Sequence, residues 1–127
     1  KILEIMDNMV QRIKTSLIIV THNLGVVARH AQRIYVMYAG RIVESGKAKD
    51  IFRSPMHPYT MGLLKSVPMK GKKRLDQIEG QPPSMYNLPS GCYFEPRCPG
   101  RIPECKDAKV PLISLSDGRL VRCILYK

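Results

Sequence analysis

Four cysteines in the last third of the chain have a type and spacing that suggest metal or redox chemistry. They are Cys92, Cys98, Cys105 and Cys123, spaced as C-x5-C-x6-C-x17-C. Disulfides would need an oxidising compartment, zinc usually takes cysteines from C-x2–4-C pairs, which are absent here, and an iron–sulfur cluster takes four thiolates from a loop that wraps it. Wide spacings with intervening prolines favour a wrapping loop over a zinc knuckle, and four reduced thiols without metal stay open as the alternative.

Basic side chains lie between these cysteines. Arg97, Arg101 and Lys106 would offset the negative charge of a thiolate-ligated cluster. A neighbouring positive charge also favours the thiolate form. We therefore expect these residues to lower the pKa values of the thiols.

A second candidate for chemistry is His22, which follows an unbroken apolar run. Leu17 to Val20 favour a strand over Ser16–Thr21 that is buried on both faces. Ligands of open α/β sheets gather where strands end at their carboxyl edge, so an imidazole there is a functional candidate. A single histidine is also compatible with a polar residue that simply leaves a strand.

The elements that would position these residues alternate between helix and strand. The predicted elements are a helix over Lys1–Ile13, the strand Ser16–Thr21, a helix over Leu24–Ala31 capped by Asn23, strands Arg33–Tyr38 and Arg41–Glu44 joined at Gly40, and a short helix at about Ala48–Phe52. Ser45-Gly46 is expected to end the last strand. This order predicts an α/β sheet. Because one buried strand needs neighbours on both sides, we expect the sheet to be incomplete and its missing strands to precede Lys1.

A second section begins at Ser54. A helix is predicted from His57-Pro58, with Pro68 ending it, because proline suits the first helical position. Lys70–Arg74 is then predicted to be a basic linker. The prolines of Gln81–Gly91 favour an irregular segment, and the cysteine region follows.

Composition narrows the classes of function. The chain has 127 residues and a net charge of +11, from 21 Lys and Arg against 10 Asp and Glu. This charge suits nucleic acid, anionic headgroups or acidic protein loops, but six Tyr, two Phe and no Trp make a nucleic-acid platform unattractive. The sequence has no apolar run of membrane-spanning length, and it lacks the phosphate loop G-x-x-x-x-G-K followed by Ser or Thr.

Several longer motifs resemble one known family. They are T-H-N-L-G-V-V-A at Thr21–Ala28, V-M-Y-A-G-R-I-V-E-S-G at Val36–Gly46, S-P-M-H-P-Y-T at Ser54–Thr60, L-L-K-S-V-P at Leu63–Pro68, and G-Q-P-P-S-M-Y-N-L-P-S-G-C-Y-F-E-P-R-C-P at Gly80–Pro99. With these motifs the chain resembles, from Lys1 to Lys127, the C-terminal part of the ATP-binding subunit of bacterial oligopeptide/dipeptide ABC transporters.

The resemblance implies a fold and a role for His22. Residues 1–53 would be the C-terminal portion of an α/β nucleotide-binding domain, an incomplete P-loop NTPase core, and residues 54–127 an irregular Cys- and Pro-rich extension. His22 would match the switch histidine, which contacts the γ-phosphate of ATP and helps to position the attacking water. The family usually has Asp at the position of Asn23. The local hydrogen bonds that the Asp carboxylate forms in the family therefore cannot be assumed for this chain. The motifs that bind ATP and Mg would precede Lys1, so we expect no ATPase activity from residues 1–127 alone.

The resemblance also implies a cofactor, partners and a location. Some members carry a four-iron cluster on cysteines placed like these four, so the resemblance favours an iron–sulfur cluster over zinc. Expected partners are the transporter's membrane subunits and a second ATP-binding subunit, at the cytoplasmic face of the membrane, and exposed apolar faces would make the chain self-associate. Two alternatives stay open: a basic Cys-rich zinc module that binds nucleic acid, and a purely structural or assembly extension.

Overall fold

The computed structural model describes residues 2–67 and 77–127. The helices are α1 (Ile2–Ile13), α2 (Leu24–His30), α3 (Ala48–Arg53) and α4 (Pro58–Lys65), and the strands are β1 (Arg33–Tyr38), β2 (Arg41–Lys47), β3 (Ile113–Ser114) and β4 (Leu120–Val121). Short 3-10 turns occupy Glu95–Arg97, Pro103–Lys106 and Ile124–Tyr126. The predicted mixture of helix and strand is therefore confirmed. The predicted linker Lys70–Arg74 and the helix-ending Pro68 lie outside the described residues.

The predicted strand Ser16–Thr21 is wrong for this chain. The segment between α1 and α2 is irregular, and the side chains of Ile18 and Val20 are 90% and 97% exposed. A strand exists only where a neighbour accepts and donates its backbone hydrogen bonds, and none of the described residues does so here. The predicted helix before it forms as α1, which buries none of its residues.

Asn23 caps α2 as predicted. Its side-chain oxygen accepts hydrogen bonds from the backbone N–H groups of Gly25 at 3.0 Å and Val26 at 3.2 Å. These are two of the donors that a helix leaves unpaired at its first turn. An uncharged residue thus provides the cap at this position. The carboxylate of Asp7 holds His30 Nδ1 at 2.5 Å, which connects α1 to the end of α2.

The predicted hairpin forms, but its second strand is longer than expected. Ala39 and Gly40 form a two-residue turn with φ of 45° and 77°, which matches the right-handed twist of the paired strands. β2 continues through Ser45 and Gly46 to Lys47, so the expected break at Ser45-Gly46 is wrong. β4 pairs antiparallel with β2 there, and a Cβ on Gly46 would lie 2.8 Å from Arg119 Cγ. Glycine stands in this strand because the tail comes so close.

The hairpin and the tail share one sheet and one core. The sheet has the order β1-β2-β4-β3, with every neighbouring pair antiparallel. The core contains Val36, Tyr38, Val43, Ile51 and Phe94, of which only Phe94 comes from the last third of the chain. Its ring centroid lies 5.2 Å from that of Tyr38, in an edge-to-face contact. β3 and β4 were not predicted, because two-residue strands carry too little sequence pattern.

Candidate functional site

The four predicted cysteines come together at one pocket. Each sits beside a tight turn: Cys92 precedes the 3-10 turn at Glu95–Arg97 and Cys98 follows it, Cys105 lies in the next turn, and Cys123 follows β4. All four line the pocket, and all four are free thiols. The tertiary structure thus gathers sulfurs from two separate turns and a strand end.

Two segments that carry cysteines meet backbone to backbone. The N–H of Cys92 donates to the carbonyl of Cys105 at 2.9 Å. Gly91 makes this approach feasible, because a Cβ there would lie only 2.4 Å from the Cys105 carbonyl oxygen. The contact fixes the spacing of the first and third cysteines.

Burial changes the pKa values of three of these thiols. It raises the pKa of Cys92, Cys98 and Cys123, and nearby cysteine sulfurs raise these values further. Backbone N–H groups act in the opposite direction: those of Phe94 and Glu95 donate to Cys92, that of Gly100 to Cys98, and that of Leu125 to Cys123. Burial therefore keeps these three thiols protonated at neutral pH.

The expectation that basic residues lower the thiol pKa values is wrong. Arg97 points its guanidinium group away from the sulfurs, donating to the carbonyls of Ile78 at 3.1 Å and Glu79 at 2.9 Å. Arg101 and Lys106 are exposed. Burial of the thiols therefore outweighs the positive charges nearby in sequence.

Zinc and a four-iron cluster would require different arrangements of these four sulfurs. Among residues 2–67 and 77–127, no three His, Cys, Asp or Glu side chains surround a point where a single ion could bind. Zinc would need four sulfurs about 2.3 Å from one point. A four-iron cluster gives each thiolate its own iron, so the same four sulfurs lie further apart, and N–H donors to the sulfurs are a usual part of such sites.

A buried pair, Glu44 and His57, connects the hairpin to this pocket, and its role was not foreseen. The sequence named His57 only as a helix start, and it does cap α4, since its Nδ1 accepts from the Tyr59 N–H at 3.1 Å. Glu44 is 0% exposed and His57 1%. The Glu44 carboxylate accepts from the N–H groups of Met56 at 2.8 Å and His57 at 2.9 Å. The signal available was an acidic residue in an apolar strand, which needs a buried partner.

Burial keeps the His57 ring neutral. It lowers the pKa of His57 to about 4, although a hydrogen bond to the Arg122 backbone opposes this change. Because Nδ1 accepts the Tyr59 N–H, the proton of the neutral ring is on Nε2. The ring also lines the cysteine pocket.

His22 is not among the residues that line the cysteine pocket. It is exposed in the irregular segment and directly precedes the cap residue Asn23. The two candidate sites are therefore separate features of the chain. None of the helices in the described ranges is long and apolar enough to cross a membrane.

Known proteins are similar in sequence to this chain over nearly its whole length. Residues 43–105 match the family described as oligopeptide/dipeptide transporter, C-terminal region. A peptide import ATP-binding protein of Brucella ovis is 47% identical over 100% of this chain, the oligopeptide transport ATP-binding protein AppD of Bacillus subtilis 43% over 100%, and the dipeptide transport ATP-binding protein DppD of Haemophilus influenzae 45% over 97%. The chain spans 40%, 39% and 38% of their respective lengths.

These matches identify the class of protein that the chain resembles. The mixture of helix and sheet, together with this similarity, is consistent with the C-terminal region of ABC-type ATP-binding proteins. The chain is similar over 97–100% of its length to the C-terminal part of peptide transport ATP-binding proteins, as the resemblance predicted. The relatives support this assignment over a nucleic-acid-binding zinc module.

Proposed function

We propose that this chain provides the C-terminal region of a subunit that couples ATP hydrolysis to the transport of oligopeptides or dipeptides. The observation that carries the proposal is identity of 43–47% over 97–100% of the chain with proteins named for peptide transport and ATP binding. Such similarity includes both the His22 segment and the cysteine tail. ATP and Mg would be bound by the complete subunit.

Within that subunit we assign residues 1–53 to an incomplete P-loop NTPase core and residues 54–127 to the family's extension. The subunit would work with membrane subunits and a second ATP-binding subunit, peripherally at the cytoplasmic face. The apolar stripe of α1, where Ile2 is 75% and Ile13 65% exposed, supports a packing partner outside the described residues. For the chain alone, this stripe supports self-association.

His22 would contact the γ-phosphate in the assembled subunit. Phosphoryl transfer depends mainly on positioning and on stabilising charge, and an exposed imidazole next to a capped helix start suits both tasks. In the complete transporter, His22→Ala should lower kcat for ATP at least about 100-fold. His30→Gln is the matched control and should leave kcat near the wild-type value, because an amide at this position still reaches Asp7.

The 127-residue chain by itself should show no ATPase activity, because the sequence contains no phosphate loop. Turnover by this chain that His22→Ala abolishes would contradict the assignment. Unchanged kcat in the complete transporter carrying His22→Ala would exclude the role of the histidine.

The cysteine pocket would hold a four-iron cluster, with one thiolate each from Cys92, Cys98, Cys105 and Cys123. The proposal is supported by the four thiols that line one pocket and by the resemblance to family members that carry such a cluster. When bound, the cluster would supply a cross-link among the turns of the tail. Its role would be structural or regulatory, as the resemblance implies.

Anaerobic purification tests the cluster. The protein should be brown, with broad visible absorption and bound iron and sulfide, and Cys→Ser at any of the four positions should lower the iron content. A colourless protein with stoichiometric zinc would contradict the proposal.

A further inference from the structure

The guanidinium group of Arg97 joins the first cysteine turn to another segment of the tail. Its Nε donates to the carbonyl of Glu79 at 2.9 Å, and its Nη2 donates to the carbonyl of Ile78 at 3.1 Å. The planar guanidinium fork matches two successive carbonyls, a geometry that a lysine ammonium group does not reproduce. Arg97 directly precedes Cys98, so these bonds act one residue from a thiol of the pocket.

The segment that accepts these hydrogen bonds, Ile78–Gly80, is itself fixed against α4 and is called the strap. Ile78 packs against the hydrophobic core, and a Cβ on Gly62 of α4 would lie only 2.7 Å from Ile78 Cγ1. Gly80 ends the strap with a φ of 78°, and a Cβ there would lie 3.4 Å from Arg97 Cγ. The strap therefore contacts both α4 and the Arg97 side chain.

The 3-10 turn at Glu95–Arg97 is held at both of its ends. Before the turn, Phe94 is 2% exposed in the core. At its end, Arg97 bonds the strap, and its Nη1 also donates to the hydroxyl of Tyr38 at 3.4 Å. Cys98 follows the turn directly. The position of Cys98 therefore depends on how firmly Arg97 holds the end of the turn.

We propose that Arg97 is a positioning residue for the four-thiol site, tying the turn before Cys98 to the strap so that the Cys98 sulfur faces the pocket. Hydrogen bonding performs this task, and positive charge does not, because the guanidinium N–H groups donate to carbonyls of the strap. The iron-binding part of the inference rests on the proposed cluster. The positioning itself applies equally to the metal-free protein.

Three substitutions separate this role from its alternatives. Arg97→Lys keeps the positive charge but removes the planar fork. Arg101→Lys is the matched control, because Arg101 is an exposed arginine on the other side of Cys98. Gly62→Ala leaves Arg97 unchanged and places a Cβ against Ile78, which pushes the strap away from α4.

The first measurement uses the metal-free 127-residue chain and needs no cluster. Iodoacetamide labelling followed by peptide mass spectrometry gives the alkylation rate of each cysteine. We expect Arg97→Lys to raise the rate at Cys98 about tenfold, as for loss of one hydrogen bond from a charged group, with Cys123 changed less than about twofold. Gly62→Ala should raise the rate at Cys98 at least about threefold, and Arg101→Lys should leave it within about twofold of wild type.

The pattern of rates distinguishes positioning from a general loss of stability. Global unfolding raises the rates at all four cysteines together, whereas positioning predicts a selective rise at Cys98. A wild-type rate at Cys98 in Arg97→Lys would show that positive charge suffices, and a wild-type rate in Gly62→Ala would show that the strap contributes nothing. Either result, or a uniform rise at every cysteine, would overturn the proposal.

The second measurement is iron bound after anaerobic reconstitution. Arg97→Lys should bind less iron than wild type, and Arg101→Lys should bind the wild-type amount. Equal iron in these two variants would contradict a role of Arg97 at the metal site. Wild-type protein without iron would refute the cluster, and the alkylation rates would still decide the role of Arg97.

Discussion

At the scale of single residues, the most informative group is the buried neutral His57. Its ring loses the hydration that water would provide, and its Nδ1 accepts a hydrogen bond from the Tyr59 N–H. A buried imidazole accepts a proton only with difficulty, because the charged form loses its hydration. This property makes the stability of the protein depend on pH.

Acidification should destabilise the metal-free protein through His57. The pKa is lowered from 6.5 to about 4 on folding, so between these values the unfolded state binds more protons. The free energy of unfolding should fall as pH drops through this range, by about 3 kcal/mol in all, with no further contribution of this group below it. Urea unfolding at several pH values measures this loss. In His57→Gln the slope should be smaller, and an unchanged slope would assign the effect to carboxyl groups.

Asn23 supplies the cap that an Asp would supply. Its side-chain oxygen accepts from Gly25 and Val26, and a carboxylate oxygen accepts in the same way. Asn23→Asp should therefore keep α2 at least as stable, while Asn23→Ala should destabilise it by about 1 kcal/mol. Hydrogen exchange of the α2 amides measures both effects. Equal exchange rates in the alanine variant and wild type would show that the cap contributes nothing.

At the scale of elements, the cysteine turns depend on a close backbone contact. Gly91 is buried, and its missing side chain makes room for the carbonyls of Cys105 and Lys106, which a Cβ would approach to 2.4 and 2.5 Å. Backbone atoms cannot move aside as a flexible side chain can. The two turns therefore pack only with glycine at this position.

Gly91→Ala should separate the turns and destabilise the protein by more than about 2 kcal/mol. Gly100→Ala, between Cys98 and Cys105, is a matched control, because its Cβ would meet nothing closer than Leu125 Cδ1 at 3.9 Å. The control should change the free energy of unfolding by less than about 0.5 kcal/mol. Chemical unfolding of both variants tests the contact, and equal stabilities would refute it.

At the scale of the whole molecule, the C-terminal tail is bonded to the segment before α4, whereas α1 packs against little of the structure. Arg119 Nη1 donates to the Ser54 carbonyl at 2.6 Å, and the Tyr126 hydroxyl donates to the Met56 carbonyl at 2.9 Å. These bonds tie the tail to the segment before α4. In contrast, α1 buries none of its residues and exposes an apolar stripe.

This stripe should make the isolated chain self-associate. Ile5 is 58% and Met9 54% exposed, and apolar area of this kind is usually covered by a partner. Ile5→Lys should shift sedimentation towards the monomer, whereas Gln11→Lys, an equal charge on an exposed polar position of α1, should not. A wild-type chain that stays monomeric at every concentration tested would contradict the prediction.

The local features of this protein were predictable from the sequence alone. The cap at Asn23, the turn at Gly40 and the start of α4 at His57-Pro58 depend on a few adjacent residues, so their signals are complete within the sequence. The family was predictable for the same reason, since its motifs are contiguous. The grouping of the cysteines in the last third already indicated one shared site.

Only the tertiary structure decided how distant segments meet. Ser16–Thr21 has the composition of a buried strand, yet none of the described residues pairs with it, and Ser45-Gly46 has the composition of a break, yet β4 extends the strand through it. The hydrogen bond between the buried residues Glu44 and His57 also depends on contact between distant segments. The same is true of the burial that raises the pKa of Cys92. Strand pairing and side-chain burial depend on residues far apart in the chain, so a local sequence pattern does not predict them.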